Sequence, residues 1–149
     1  VKELSSRGLT VGTVKDIHYE GFSMDKEGTN TWRHMQAGAC MVAARGLRET
    51  DFLVPSRMAM SDIVRRFDAD VVIIEGGHEE DYPRITCATM PEDADSRIDG
   101  RTFAISGCIA ECAGEYRGFR VFNCLSEAGP LADLALTAAL VLDSKGNAV

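Results

Sequence analysis

Two short segments concentrate the side chains able to do chemistry. The first is Lys15-Asp16-Ile17-His18-Tyr19-Glu20, followed by Asp25 and Gly28. A lysine, a histidine and several carboxylates this close together suit a phosphate–magnesium site. The ammonium balances phosphate charge and the carboxylates take metal-bound water. A loop with no role in binding has a similar composition, because loops face water. The second segment, Glu75-Gly76-Gly77-His78-Glu79-Glu80-Asp81, follows the run Asp70-Val71-Val72-Ile73-Ile74. A carboxylate at the C-terminal end of a buried hydrophobic strand is the Walker-B arrangement. It holds Mg²⁺ directly or through water, and the glycines let the backbone come close to phosphate. The competing reading is a strand that ends in a charged turn, although a lone, partly buried carboxylate at Glu75 would be costly there. His78 by itself reads as an exposed loop histidine.

A third grouping is Cys108-x3-Cys112, with Cys124 further on. Its spacing fits neither the usual zinc pairs nor the common iron–sulfur runs. Cysteines also pack as small buried hydrophobes. A metal-binding or redox module using Cys108, Cys112 and Cys124 therefore stands as an alternative of a different class. The acidic stretch Glu92–Asp99 reads as a solvated loop. Trp32, Met35, Cys40 and Met41 read as core rather than as cofactor contacts.

The elements that must position these groups alternate between strand and helix. Lys2–Arg7 reads as the last turns of a helix, with Gly8 where a helix end prefers a left-handed residue. Leu9–Lys15 is a strand and Asp16–Gly28 a polar loop. Thr29–Ala39 is helical, with Thr29 or Asn30 as N-cap. Cys40–Ala44 and Asp51–Val54 are strands, and Met58–Phe67 is an amphipathic helix. In Asp70–Glu75 the consecutive aliphatic residues imply burial on both faces, as in a central parallel strand. Arg84–Ala88, Thr102–Ser106 and Arg120–Phe122 are further strands, and Met90–Gly100 is an Asp-rich loop. Leu131–Leu142 is a closing helix opened by Gly129-Pro130, and Asp143–Val149 reads as a frayed tail. The alternation predicts an α/β fold, a mostly parallel sheet flanked by helices. Ligands in such sheets bind outside the carboxyl ends of the strands, which points to residues 15–30 and 75–84.

Composition bounds the function. The 149 residues suit a single domain, 1–149, and 45% hydrophobic with 26% charged residues is ordinary for a globular chain. A net charge of −7 repels phosphate backbones and anionic lipid heads, so neither nucleic acid nor a membrane surface is an expected partner. No stretch reaches the roughly 20 apolar residues of a membrane span, and no secretory leader pattern is visible. Five cysteines are an odd and sparse set, so a reducing, cytoplasmic setting is expected.

Taken in order, these segments resemble the MobB family, the molybdopterin-guanine dinucleotide biosynthesis adapter proteins. The family has a helix ending in Arg-Gly, then a strand closing on Lys-His-x-His-His-Asp. Here that reads RGLTVGTVKDIHYEG. Lys15 and His18 match, Asp16 and Tyr19 stand where the family has histidines, and Glu20 replaces Asp. The family's Asp-x-x-Gly-Lys-Asp-(Ser/Thr)-aromatic run resembles Asp25 to Trp32, with Thr29 and Asn30 in place of Lys and Asp, and its Ala-Gly-Ala is Ala37-Gly38-Ala39. Its Asp-leading aliphatic strand ending Glu-Gly-Phe-Lys is matched by Asp70–Gly76, with Gly77-His78 in the last two places. Pro83-Arg84-Ile85 resembles its Pro-Lys-Ile, and Asn123 with Gly129, Ala132 and Asp133 resembles the start of its terminal helix.

The resemblance implies a P-loop NTPase-like protein that binds GTP with Mg²⁺. Lys15, His18, Asp25 and Gly76 would bind nucleotide, and Glu75 would be the magnesium partner. It further implies a helper to the guanylyltransferase that joins molybdopterin to GMP, working as a homodimer. Hydrolysis would be slow at most, with no water-positioning residue beyond His18 or Glu20. The family's P-loop, G-x-x-x-x-G-K-[ST], occurs nowhere in this sequence. The resemblance places it ahead of Lys2, on a first strand, so the expectation is an N-terminally shortened member. Such a form would expose strand edges, associate, and grip GTP poorly, or act as a scaffold that binds no nucleotide.

Overall fold

The computed structural model describes residues 1–144, so the expected tail lies largely outside the described residues. The elements in chain order are α1 (Lys2–Ser6), β1 (Val11–Lys15), α2 (Asn30–Gln36), β2 (Val42–Arg45), β3 (Thr50–Leu53), α3 (Met60–Val64) and β4 (Val71–Glu75). They continue with β5 (Arg84–Cys87), α4 (Pro91–Asp95), β6 (Thr102–Ser106), a 3₁₀ turn at Cys108–Glu111, β7 (Glu115–Tyr116), β8 (Phe119–Phe122) and α5 (Ala128–Ser144). The mixed α/β class expected from the pattern is the class observed.

The strands do not form one continuous ladder. β1 pairs with β4 in parallel, β2 with β3 antiparallel, and the remaining strands run in the order β5-β6-β8-β7. Within that last sheet β5–β6 and β6–β8 are parallel, and only the short β7–β8 pairing is antiparallel. The two antiparallel hairpins are departures from the expected pattern. β2 and β3 are linked by only four residues, which is too short for a parallel crossover.

The densest packing lies in the β5–β8 half. Ala88, Ala94, Ile105, Ile109 and Val121 form the buried cluster, and Ile98, Ala110, Tyr116 and Phe119 pack against it. Strand β6 is buried at four of its five positions. Its polar members are satisfied: the Thr86 and Thr102 hydroxyls lie 2.9 Å apart, and the Ser106 hydroxyl donates to the Phe122 carbonyl at 2.9 Å. Just past β6, Gly107 has φ +109°, and a Cβ there would stand 2.4 Å from the Ala88 carbonyl oxygen.

Strand β4 is different. Val71–Ile74 are half-buried, not enclosed on both faces as the aliphatic run suggested, and Glu75 is exposed. Along its edges, too, β4 has a ladder partner on one side only. The expected core group also divides. Trp32 and Met35 are half-buried, whereas Cys40 and Met41 are exposed beside the β2–β3 hairpin. The acidic stretch read as loop instead begins with α4, where the Asp93 carboxylate accepts from the Thr89 and Met90 amides. At the chain's two ends, the Arg7 guanidinium joins α1 to α5 through Asp133 at 2.5 Å and the Gly129 carbonyl at 2.9 Å.

Gly107→Ala is expected to lower unfolding stability by at least about 2 kcal/mol, since it combines a strained φ with a backbone clash. Gly114→Ala, with open space around it, is expected to cost less than about 1 kcal/mol. Urea midpoints of the two variants against the parent decide this.

Candidate functional site

The site begins with the β1–β4 register. Val11 pairs with Val71, and the ladder runs to Lys15 opposite Glu75. At its start, the Thr10 amide and hydroxyl both donate to Asp70 Oδ2 at 2.7 Å, and the Asp70 amide donates back to the Thr10 hydroxyl at 2.9 Å. Those bonds hold the Asp70 carboxyl below the usual carboxylate range, the Thr10 amide contributing most. At the far end, the Lys15 ammonium donates to Glu75 Oε1. The ladder is therefore pinned at both ends, and its C-terminal tip presents a cation and a carboxylate side by side.

Beyond the tip the two loops touch. The Asp16 amide donates to the Glu75 carbonyl at 2.8 Å. Gly76 has φ +89°, and a Cβ there would sit 3.1 Å from both Asp16 Cβ and the Asp16 carbonyl oxygen. Glycine thus meets two demands here, a left-handed turn and a close approach of two backbones. The Asp16 side chain is only 14% exposed. Its carboxylate faces His18 Nε2 at 3.2 Å and Arg57 Nη2 at 3.4 Å.

An open cleft of about 690 Å³ lies in front of this tip. Lys15, Asp16, His18, Arg57, Glu79 and Glu80 give it a polar rim, and Val14, Met60 and Ile63 contribute an apolar floor. The structure thus brings Lys15 and His18 to this cleft, while Glu75 and Gly76, also singled out by sequence, adjoin Lys15 and Asp16 at the ladder's tip without lining the cleft. It gives Asp16, which the sequence offered only as one of several carboxylates in the first segment, a definite place, and it adds Arg57, a lone arginine in a loop that carried no pattern at all.

Asp25 has a different position. Its Oδ1 accepts from the Thr29 hydroxyl at 2.8 Å, the Thr31 hydroxyl at 2.9 Å and the Lys26 amide at 2.9 Å. Thr29 in turn caps α2 by accepting from the Trp32 amide. Burial pushes the Asp25 carboxyl up, but the bonds from Thr29, Thr31 and Lys26 outweigh it and leave the group below its ordinary value. Its Oδ2 is buried without a partner, and Asp25 is not among the residues of the cleft. The three cysteines Cys108, Cys112 and Cys124 are exposed thiols. Among the described residues no three His, Cys, Asp or Glu side chains gather as a metal-holding group, so the structure does not assemble a cysteine centre. Among the same residues, no helix is long and apolar enough to cross a membrane.

The site thus presents a parallel strand pair with a lysine and a glutamate at its carboxyl tips, set in an α/β fold. The family model for molybdopterin guanine dinucleotide synthesis protein B matches residues 1–104. The chain belongs to this family, MobB. The molybdopterin-guanine dinucleotide biosynthesis adapter protein of Haemophilus influenzae is 28% identical over 90 residues, covering 57% of this chain and 50% of that protein. The chain thus spans about half the length of that curated relative. Among solved structures, one of Bacillus subtilis MobB superposes with a TM-score of 0.71 at 24% identity, covering 92% of this chain and 84% of that one. A MobB homologue from Bacillus stearothermophilus gives 0.61 at 18% identity, covering 92% and 83%. These structures establish the likeness of fold.

Because the Asp70 carboxyl is depressed, its stabilisation is full above the unfolded value of about 3.9 and is lost as pH falls through the lower folded value. Asp70→Asn is expected to be less stable at neutral pH and to lose less on acidification below about pH 4. Thermal midpoints of parent and variant between neutral pH and the acid limit test this. Parallel curves would contradict it.

Proposed function

We propose that this chain contributes the magnesium–nucleotide crevice of a GTP-binding adapter in the formation of molybdopterin guanine dinucleotide. The observation that carries the reading is the Lys15–Glu75 pair at adjacent parallel strand tips, with Gly76 holding the two loops in contact. In this reading Lys15 and His18 face the nucleotide's phosphates and Gly76 lets the backbone approach them, while Asp25, with Oδ1 bonded to Thr29 and Thr31 and Oδ2 buried, supports the loop rather than touching the nucleotide. The donor set suits magnesium. Glu75 is exposed, Lys15 engages only its Oε1, and Mg²⁺ is commonly held by one or two carboxylates with phosphates and water supplying the rest. When bound, the ion would neutralise phosphate charge. Lys15 keeps the Glu75 carboxylate oriented, and Asp16 holds His18 and Arg57 at the rim of the cleft.

The P-loop's backbone amides and lysine give most of the triphosphate grip in this class. That motif does not occur in these 149 residues, so in this reading the strand tips supply metal and rim contacts only. Any hydrolysis is slow in this reading, which assigns no water-positioning residue beyond His18 or Glu20. The partners proposed are the guanylyltransferase that uses molybdopterin, for which an acidic adapter of net charge −7 suits a basic surface, and a second copy of this chain. The self-association is supported by the β2–β3 hairpin, where Phe52 is 65% and Met41 53% exposed. The reducing cytoplasm is the proposed setting, given five free thiols.

The test is a calorimetric titration of Mg²⁺–GTP into the 149-residue chain and into a longer form with a P-loop strand and helix preceding Lys2, each sedimented in parallel. The longer form is expected to bind at least about tenfold tighter, and Glu75→Ala within it to lose about tenfold of the magnesium-dependent affinity. Equal tight binding by both forms, or an unaffected Glu75→Ala, would refute the nucleotide reading. A monomer at every concentration would refute the self-association.

A further inference from the structure

The loop after β4 joins two sheets that share no ladder. It carries Glu79, Glu80 and Asp81 in a row, just past Glu75. Four carboxylates in seven residues repel one another, and within the loop the one backbone bond is Glu80 N–H to the Gly77 carbonyl at 3.1 Å. Left to itself such a segment would not hold one conformation. Two arginines from the other sheet receive it. Arg84 Nη2 donates to the His78 carbonyl at 2.8 Å, and Arg101 Nη1 donates to the Glu80 carbonyl at 2.6 Å.

Both guanidiniums converge on one carboxylate. Asp99 Oδ2 accepts from Arg101 Nη2 at 2.5 Å and Nε at 3.0 Å, and it lies 3.2 Å from Arg84 Nη1. Asp99 Oδ1 accepts the Arg101 amide at 2.9 Å, and the Arg84 amide donates to the Arg101 carbonyl at 2.9 Å. All three side chains are 30% exposed or less. Two N–H groups of one planar guanidinium converging on a single carboxylate oxygen fix direction as well as charge. The hydrogen bond from Arg101 is the main cause that lowers the Asp99 carboxyl below its ordinary range, and the same bond raises Arg101.

We propose that Asp99, Arg101 and Arg84 form a positioning clamp that sets the Gly76–Asp81 loop from the far sheet, and so fixes the wall of the cleft that Glu79 and Glu80 provide. The clamp's effect on ligand rests on the nucleotide reading above; its effect on the loop does not. Asp99 orients the two guanidiniums, and each guanidinium keeps its remaining donors for a loop carbonyl. A lysine in place of Arg101 keeps the charge but not the fork, so charge alone will not restore the loop.

Amide hydrogen exchange on the 149-residue chain tests the clamp, with Asp99→Asn, Arg101→Met, Arg101→Lys and the double variant D99N/R101M. Exchange at Gly77–Asp81 is expected to rise about fivefold in D99N and R101M, with β6 amides unchanged and the double variant no faster than R101M. Arg101→Lys is expected to behave like R101M. Mn²⁺–GTP is then added, and paramagnetic broadening of the Gly76–Glu80 amide signals is expected to weaken in the same variants. Parent-like loop exchange in D99N and R101M would overturn the clamp, as would faster exchange with undiminished broadening. Should R101M not fold, D99N and R101K decide the matter. Absence of broadening in the parent would count against the nucleotide reading alone, and loop exchange would then decide the clamp by itself.

Discussion

The parallel pairing of β1 with β4 is the constraint on which the candidate site depends. Side chains alternate along a strand, so a slip of one residue in this register would turn Lys15 away from Glu75 and bring different groups to the tip. The register is fixed locally at both ends. Thr10 and Asp70 exchange three hydrogen bonds where the strands begin, and Lys15 and Glu75 meet where they finish. Between them the aliphatic residues of β4 supply the ladder and the half-buried surface. Everything at the tip, including the contact of Gly76 with Asp16, follows from this alignment.

The molecule divides its physical tasks between two halves. The β5–β8 sheet carries the enclosed core and its hydroxyl networks are satisfied internally. The β1–β4 pair and the β2–β3 hairpin are more open, and the Lys15–Glu75 pair of the candidate site lies there. Fixed elements that hold exposed polar groups in place are the usual arrangement for binding sites, since a precise constellation needs rigid support and an accessible face. The two halves are joined by more than chain connectivity, because Arg84 and Arg101 reach from the packed sheet to the loop beyond Glu75.

Much of this was readable from residue types and order. The polar ends of Leu9–Lys15 and Asp70–Glu75 marked both strand tips, since glycine and charge after an aliphatic run signal a strand that ends at a turn. Lys15, His18, Glu75 and Gly76 follow from that signal. Other features depend on distances along the chain that no local pattern encodes. Arg57 reaches Asp16 across 41 residues, and Asp99 matters because of Arg101 two positions on and Arg84 in a separate strand. Asp25 illustrates the opposite case: its neighbourhood looked chemical, yet threonine hydroxyls four and six positions later bind the same oxygen. The half-burial of β4 was equally illegible, because an aliphatic run reports affinity for a neighbour and not whether a neighbour stands on each side.

The central claim is that these strand tips face one bound magnesium nucleotide. Photolabelling with a GTP analogue reactive at its terminal phosphate, in the presence of Mg²⁺, tests it most directly, because covalent capture registers weak binding and peptide mapping locates it. Labels on residues 15–20 and 75–81, suppressed by excess GTP, are the predicted result. Labels confined to the β5–β8 half, or labels at the tips that GTP does not suppress, would contradict the account.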